Sequence, residues 1–85
     1  MKYQIADKLE LPKDAVLGTI NIYLIGNYEA YINNYKAIIE YSDSEIKIRG
    51  KKNQVNIIGQ NLMISEFTKN DMILKGRFLE VKYID

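Results

Sequence analysis

Ile46-Lys47-Ile48-Arg49-Gly50-Lys51-Lys52-Asn53-Gln54-Val55-Asn56-Ile57 is the stretch whose reading decides the fold class. Ile46 and Ile48 alternate with Lys47 and Arg49. A period of two sends the isoleucines to one face of a strand and the cations to the other. Gly50-Lys51-Lys52-Asn53 reads as a turn, and Val55 and Ile57 resume the alternation. The pattern predicts a β-hairpin with one apolar and one solvated face.

The same period extends in both directions. Upstream, Ile20, Ile22 and Leu24 alternate with Asn21 and Tyr23. Gly26-Asn27 punctuates, and Tyr28, Ala30 and Ile32 follow. Asn33-Asn34 is a second turn, because asparagine tolerates the left-handed region. A short apolar strand from Ala37 to Tyr41 leads to the Ser42-Asp43-Ser44 break. Downstream, Ile58-Gly59-Gln60-Asn61-Leu62-Met63-Ile64 is echoed by Lys75-Gly76-Arg77-Phe78-Leu79-Glu80-Val81, with Lys69-Asn70-Asp71 as the turn between the copies. Gly59 and Gly76 are expected to supply positive φ, at a hairpin or at a sharp corner of a bent sheet.

Only the opening segment departs from this pattern. Ile5 and Leu9 are spaced for one helical face, Pro12 suits the first position of a further turn, and Gly18 stops the segment. The expectation is an all-β domain spanning 1–85, with a short helical arm over 1–18 and a β body over 19–85. About seven short strands, mainly antiparallel, should fold as a small sandwich or roll, since no helix separates them. The expected core is Ile20, Ile22, Leu24, Ile32, Ile39, Ile46, Ile48, Val55, Ile57, Leu62, Ile64, Phe67, Ile73, Leu79 and Val81. Gly26, Asn27, Gly50, Gly59 and Gly76 are the expected turn positions.

Composition narrows the chemistry. The 85 residues include neither cysteine nor histidine. That removes disulfides, thiolate metal sites, the commonest general base and the commonest zinc ligand. A formal net charge of +1 gives no reason to expect a polyanionic partner, so nucleic acid is not anticipated. No apolar run is long enough to span a bilayer, and the N-terminal residues lack the apolar core of a signal peptide, so the chain is expected to stay where it is made. No cofactor and no metal are expected.

Two groups of residues are candidates for contact with a partner or with lipid. Lys47, Arg49, Lys51 and Lys52 form the densest positive patch, suited to anionic headgroups or acidic partner groups. The plainer account is a solvated face that also keeps a sheet edge from pairing with strangers. Tyr23, Tyr28, Tyr31, Tyr35 and Tyr41 crowd the first half. At least one of Tyr23, Tyr28 and Tyr35 should face outward and be available to a partner, while the others complete the packing. Glu29, Glu40, Asp43, Glu45, Glu66 and Asp71 include no pair whose spacing declares acid–base catalysis, so no enzymatic activity is expected.

Leu9-Glu10-Leu11-Pro12-Lys13-Asp14, Ile25-Gly26-Asn27, Ile38-Ile39-Glu40-Tyr41 and the two glycine-centred segments occur in an order and spacing that resemble the YabP/YqfC family of sporulation proteins, and its YqfC-like branch in particular. Ala37 stands where that family usually has glycine, and Gly18-Thr19 where it often has proline. The resemblance implies a role in endospore morphogenesis, in coat and cortex assembly. It places the chain in the mother-cell cytoplasm, peripherally at the outer forespore membrane, beside a membrane-associated sporulation partner. Self-association through sheet edges is a second implied mode. The alternative is a small binding module for cell-wall glycan or anionic lipid headgroups.

Overall fold

A computed structural model describes residues 18–84 of the chain. The expected helical arm lies outside the described residues, apart from Gly18, which has a φ of 78°. The rest is all-β. Its strands are β1 (Asn21–Ile25), β2 (Glu29–Asn33), β3 (Ala37–Tyr41), β4 (Glu45–Arg49), β5 (Gln54–Phe67) and β6 (Asp71–Ile84). They form one antiparallel sheet in the order β1-β2-β6-β5-β4-β3.

Six strands stand where about seven were expected, because Gly59 and Gly76 bend strands instead of ending them. β5 and β6 are each 14 residues long. β4 pairs with the first part of β5, Gln54 to Ile58, and β2 pairs with the first part of β6, Asp71 to Lys75. Each long strand therefore contributes to two half-sheets, one with β1 and β2, the other with β3 and β4. Residues of both halves belong to a single buried cluster, which includes Ile32 and Leu74 from one and Ile46, Ile48, Val55 and Ile57 from the other. The sheet thus folds over itself as a roll.

The two halves are built alike. In each, a pair of five-residue strands is joined by a three-residue turn, and that turn bonds to the middle of a long strand. The Gly59 N–H donates to the Ser44 carbonyl (2.9 Å) and the Leu62 N–H to that of Asp43 (2.9 Å). At the other corner the Gly76 N–H donates to the Tyr28 carbonyl (3.1 Å) and the Phe78 N–H to that of Asn27 (2.6 Å). The echo between the two glycine-centred segments is the sequence trace of this approximate two-fold arrangement.

Corner geometry explains the glycines. Gly76 has φ +145, which L side chains rarely adopt. Gly59 has no positive φ, contrary to expectation. It is required because a Cβ there would lie 2.2 Å from the Arg77 carbonyl oxygen. Gly26 (φ 54°) and Asn34 (φ 72°) do occupy the left-handed region at their turns, whereas Gly50 does not. Gly50 instead leaves room for Ile20, whose Cγ1 would be 2.6 Å from an added Cβ.

Bulges account for two of the misplaced core residues. Ile58 pairs with Glu80 and Gly59 with Phe78, so Leu79 is an extra residue on β6 and points out. Ile38 pairs with Ile48 and Glu40 with Lys47, which makes Ile39 the extra residue of β3. Both are exposed, as are Leu24 and Phe67, and Ile73 is only partly covered. Ala30, Tyr35, Met72, Leu74 and Phe78 are buried in the core without having been expected there. A bulge shifts the inward parity by one residue, which alternation alone does not reveal.

Candidate interaction surface

β3 is one edge of the sheet, and no described strand pairs its far side. Ile38 is 36%, Ile39 49% and Tyr41 48% exposed. Three large apolar side chains within four residues of an edge strand are a concentration that a solvated edge would avoid. The Tyr41 hydroxyl accepts the Ile64 N–H (3.0 Å) and so fixes the ring against the second part of β5. Glu40 faces Lys47 across the ladder at 3.7 Å. Both groups are partly solvated, so Lys47→Ala is expected to change stability by less than about 1 kcal/mol in urea unfolding.

Sequence reading placed Ile39 in the core and so missed this surface. One signal was present. Ile38-Ile39 breaks the alternation, and two adjacent isoleucines cannot both face inward on a regular strand.

The basic residues separate. Lys47 belongs to the ion pair with Glu40, whereas Arg49, Lys51 and Lys52 are exposed around the β4–β5 turn. These three, with Gly50, Asn53, Gln54 and Ile84, line an open cleft of about 270 Å³. A second shallow cleft, about 330 Å³, is lined by Asp43, Ser44, Gly59, Gln60 and Asn61. Asp43 is its one carboxylate, so it offers no acid–base pair. Among the described residues no group of three or more His, Cys, Asp or Glu side chains is placed to hold a metal ion. No described helix is long and apolar enough to cross a membrane.

The tyrosines divide as well. Tyr28 is exposed at the tip of the first turn, its ring over Gly26, where a Cβ would come within 2.7 Å of it. Tyr23 pairs with Tyr31 across β1 and β2, ring centroids 6.1 Å apart and tilted by 49°. Tyr35, expected among the contact residues, is instead buried at 3% exposure. Its hydroxyl donates to the carbonyls of Thr68 (2.7 Å) and Asp71 (3.1 Å), tying the β2–β3 connection to the β5–β6 turn. A ring whose polar end is consumed inside the fold has nothing to offer a partner.

Burial, and secondarily the Asp71 carboxylate, raise the Tyr35 pKa. A folded value above the unfolded one means that the neutral phenol contributes stability below the ordinary tyrosine pKa of about 10, and that this is lost as pH rises through the folded value. Tyr35→Phe is expected to cost about 1 kcal/mol at neutral pH, the worth of a buried hydrogen bond. It should also flatten the fall in stability on the alkaline side. Urea unfolding of both proteins at neutral and strongly alkaline pH checks the pair of effects.

These surfaces can be set beside known proteins. The uncharacterized protein YqfC of Bacillus subtilis (strain 168) is 27% identical over 85 residues, covering all of this chain and 91% of that one. No solved structure matches. The YabP family matches residues 17–85, a span that takes in every strand from β1 to β6, both glycine corners and the exposed β3 edge. The chain belongs to the YabP family.

Proposed function

We propose that this chain is a non-enzymatic sporulation protein that acts in endospore morphogenesis by docking a membrane-associated partner along β3. Family membership associates it with sporulation. The finer role is coat and cortex assembly from the mother-cell side of the forespore membrane. One observation carries it: Ile38, Ile39 and Tyr41 stand exposed on a strand whose far side pairs with no described strand. An edge of this kind offers main-chain hydrogen bonds for affinity and alternate side chains for selectivity, the two requirements of strand addition.

The test is co-purification from sporulating cells with the candidate membrane partner co-expressed. Native chain should retain the partner, and Ile39→Asp should release it without lowering the melting temperature, since Ile39 lies outside the core. Capture that survives Ile39→Asp combined with Ile38→Lys would count against β3 as the docking edge. A deletion strain should grow normally and form fewer heat-resistant spores. Normal yields of correctly layered spores would remove the biological role.

A further inference from the structure

The cations of the β4–β5 turn are segregated, whereas a solvating face would intersperse both signs. At one end of the β3–β4 pair stand Asp43 and Glu45; at the other stand Arg49, Lys51 and Lys52. Among the described residues, the lining of the cleft of about 270 Å³ between these cations includes no carboxylate. Lys47, the neighbouring cation with an ion-pair partner, lies outside that lining. Lys36 enters the same end of the sheet, because its N–H donates to the Arg49 carbonyl (2.8 Å).

An apolar group adjoins the charge. Ile84 lines the cleft, opposite Gln54 in the ladder, and is 38% exposed. A site for a free anion has no use for this side chain. A bilayer surface uses both kinds of group, phosphate oxygens for the cations and the acyl boundary for isoleucine.

We propose that the cleft formed by Arg49, Lys51, Lys52 and Ile84 binds the phosphate-bearing headgroups of an anionic bilayer. Charge complementarity selects the headgroups, and the exposed Ile84 among the cations commits the surface to lipid. This contact lies at the β4–β5 turn and does not depend on docking along β3, so each can fail alone.

The test is flotation of the full chain with vesicles of phosphatidylcholine alone or mixed with phosphatidylglycerol. The chain should float with the mixed vesicles and not with the neutral ones, and added salt should release it. Lys51→Ala with Lys52→Ala should weaken partitioning roughly thirtyfold, on the scale of about fivefold per basic residue near such a surface. Ile84→Ser should weaken it further, and Ile39→Asp should leave it unchanged. The melting temperature of each variant guards against loss of fold. Equal flotation with neutral vesicles, no flotation with anionic ones, or an unaffected double-alanine variant would each overturn the proposal. So would release by inorganic phosphate but not by sulfate of equal ionic strength, which would identify a soluble-phosphate site. Asp85 follows Ile84 and lies outside the described residues. Flotation seen only in Asp85→Asn would overturn the proposal for the native chain.

Discussion

Gly59→Ala is expected to lower the unfolding free energy by about 3 kcal/mol, at the upper end of what one added methyl group does in a packed site. The new Cβ would lie 2.2 Å from the Arg77 carbonyl oxygen and 2.9 Å from Leu62 Cδ2. A leucine side chain can rotate aside. A carbonyl oxygen in the neighbouring strand cannot, so β5 and β6 must separate at the point where both bend. That separation also pulls on the Gly59 N–H to Ser44 bond and on the turn it anchors. A domain of this size has a stability near the low end of the usual range, about 5 kcal/mol. Most of it would be lost. Gly76→Ala should be comparably severe, for a mixed reason. Its φ of +145 disfavours any side chain, and the added Cβ would meet the Asn61 carbonyl oxygen and Leu62 Cα, each at 2.9 Å. Gly18→Ala is the control. Its φ is positive, but the nearest atom to an added Cβ is Lys51 Cδ at 3.8 Å, so only a backbone penalty of about 1 kcal/mol is expected. Urea unfolding followed by circular dichroism orders the three. A Gly59→Ala protein as stable as Gly18→Ala would mean that the strands do not approach so closely at this corner.

The all-β class was legible because Ile46, Ile48, Val55 and Ile57 alternate without interruption, and all four are fully buried. Legibility failed where the chain carries an extra residue. Ile73 is the exception: it lies between the buried Met72 and Leu74 on a regular stretch and was simply put on the wrong face. On β6 the extra residue is Leu79, so a reading that carried the alternation of Leu79 and Val81 through this point missed the buried Phe78. The candidate site failed for the same reason. Ile39 looks like core by residue type, and only the unpaired position between Ile38 and Glu40 turns it outward. Tyr35 failed differently. Its type suggests an interface, but the carbonyls of Thr68 and Asp71 come from a turn more than thirty residues away, and nothing local announces them. The basic turn was legible as charge. Which of its cations already has a partner was not, because Glu40 reaches Lys47 only through the register of β3 on β4.

The approximate two-fold arrangement makes a second strong prediction, because it places two isoleucines in equivalent surroundings. Ile32 stands between Ile22 and Met72 on its row of the ladder, and Ile48 between Ile38 and Val55. Both are 0% exposed. Ile32→Ala and Ile48→Ala should each cost about 3 kcal/mol, the removed side chain's transfer free energy plus the cavity left behind. Ile38→Ala removes the same atoms from the next strand on the same face, but at an edge already 36% exposed, so its loss should be nearer 1 kcal/mol. The comparison separates two accounts of how the halves depend on each other. Matching losses at Ile32 and Ile48, in one cooperative urea transition, follow if the two half-sheets share a single core and neither folds alone. A mild loss at Ile48, or a second transition, would mean that the β3–β4 half is only loosely held in the isolated chain. Under that outcome Ile38→Ala would disturb the fold and partner capture together. The docking experiment with Ile39→Asp would then have to be read with β3 already bound, since the edge itself would depend on its occupant for order.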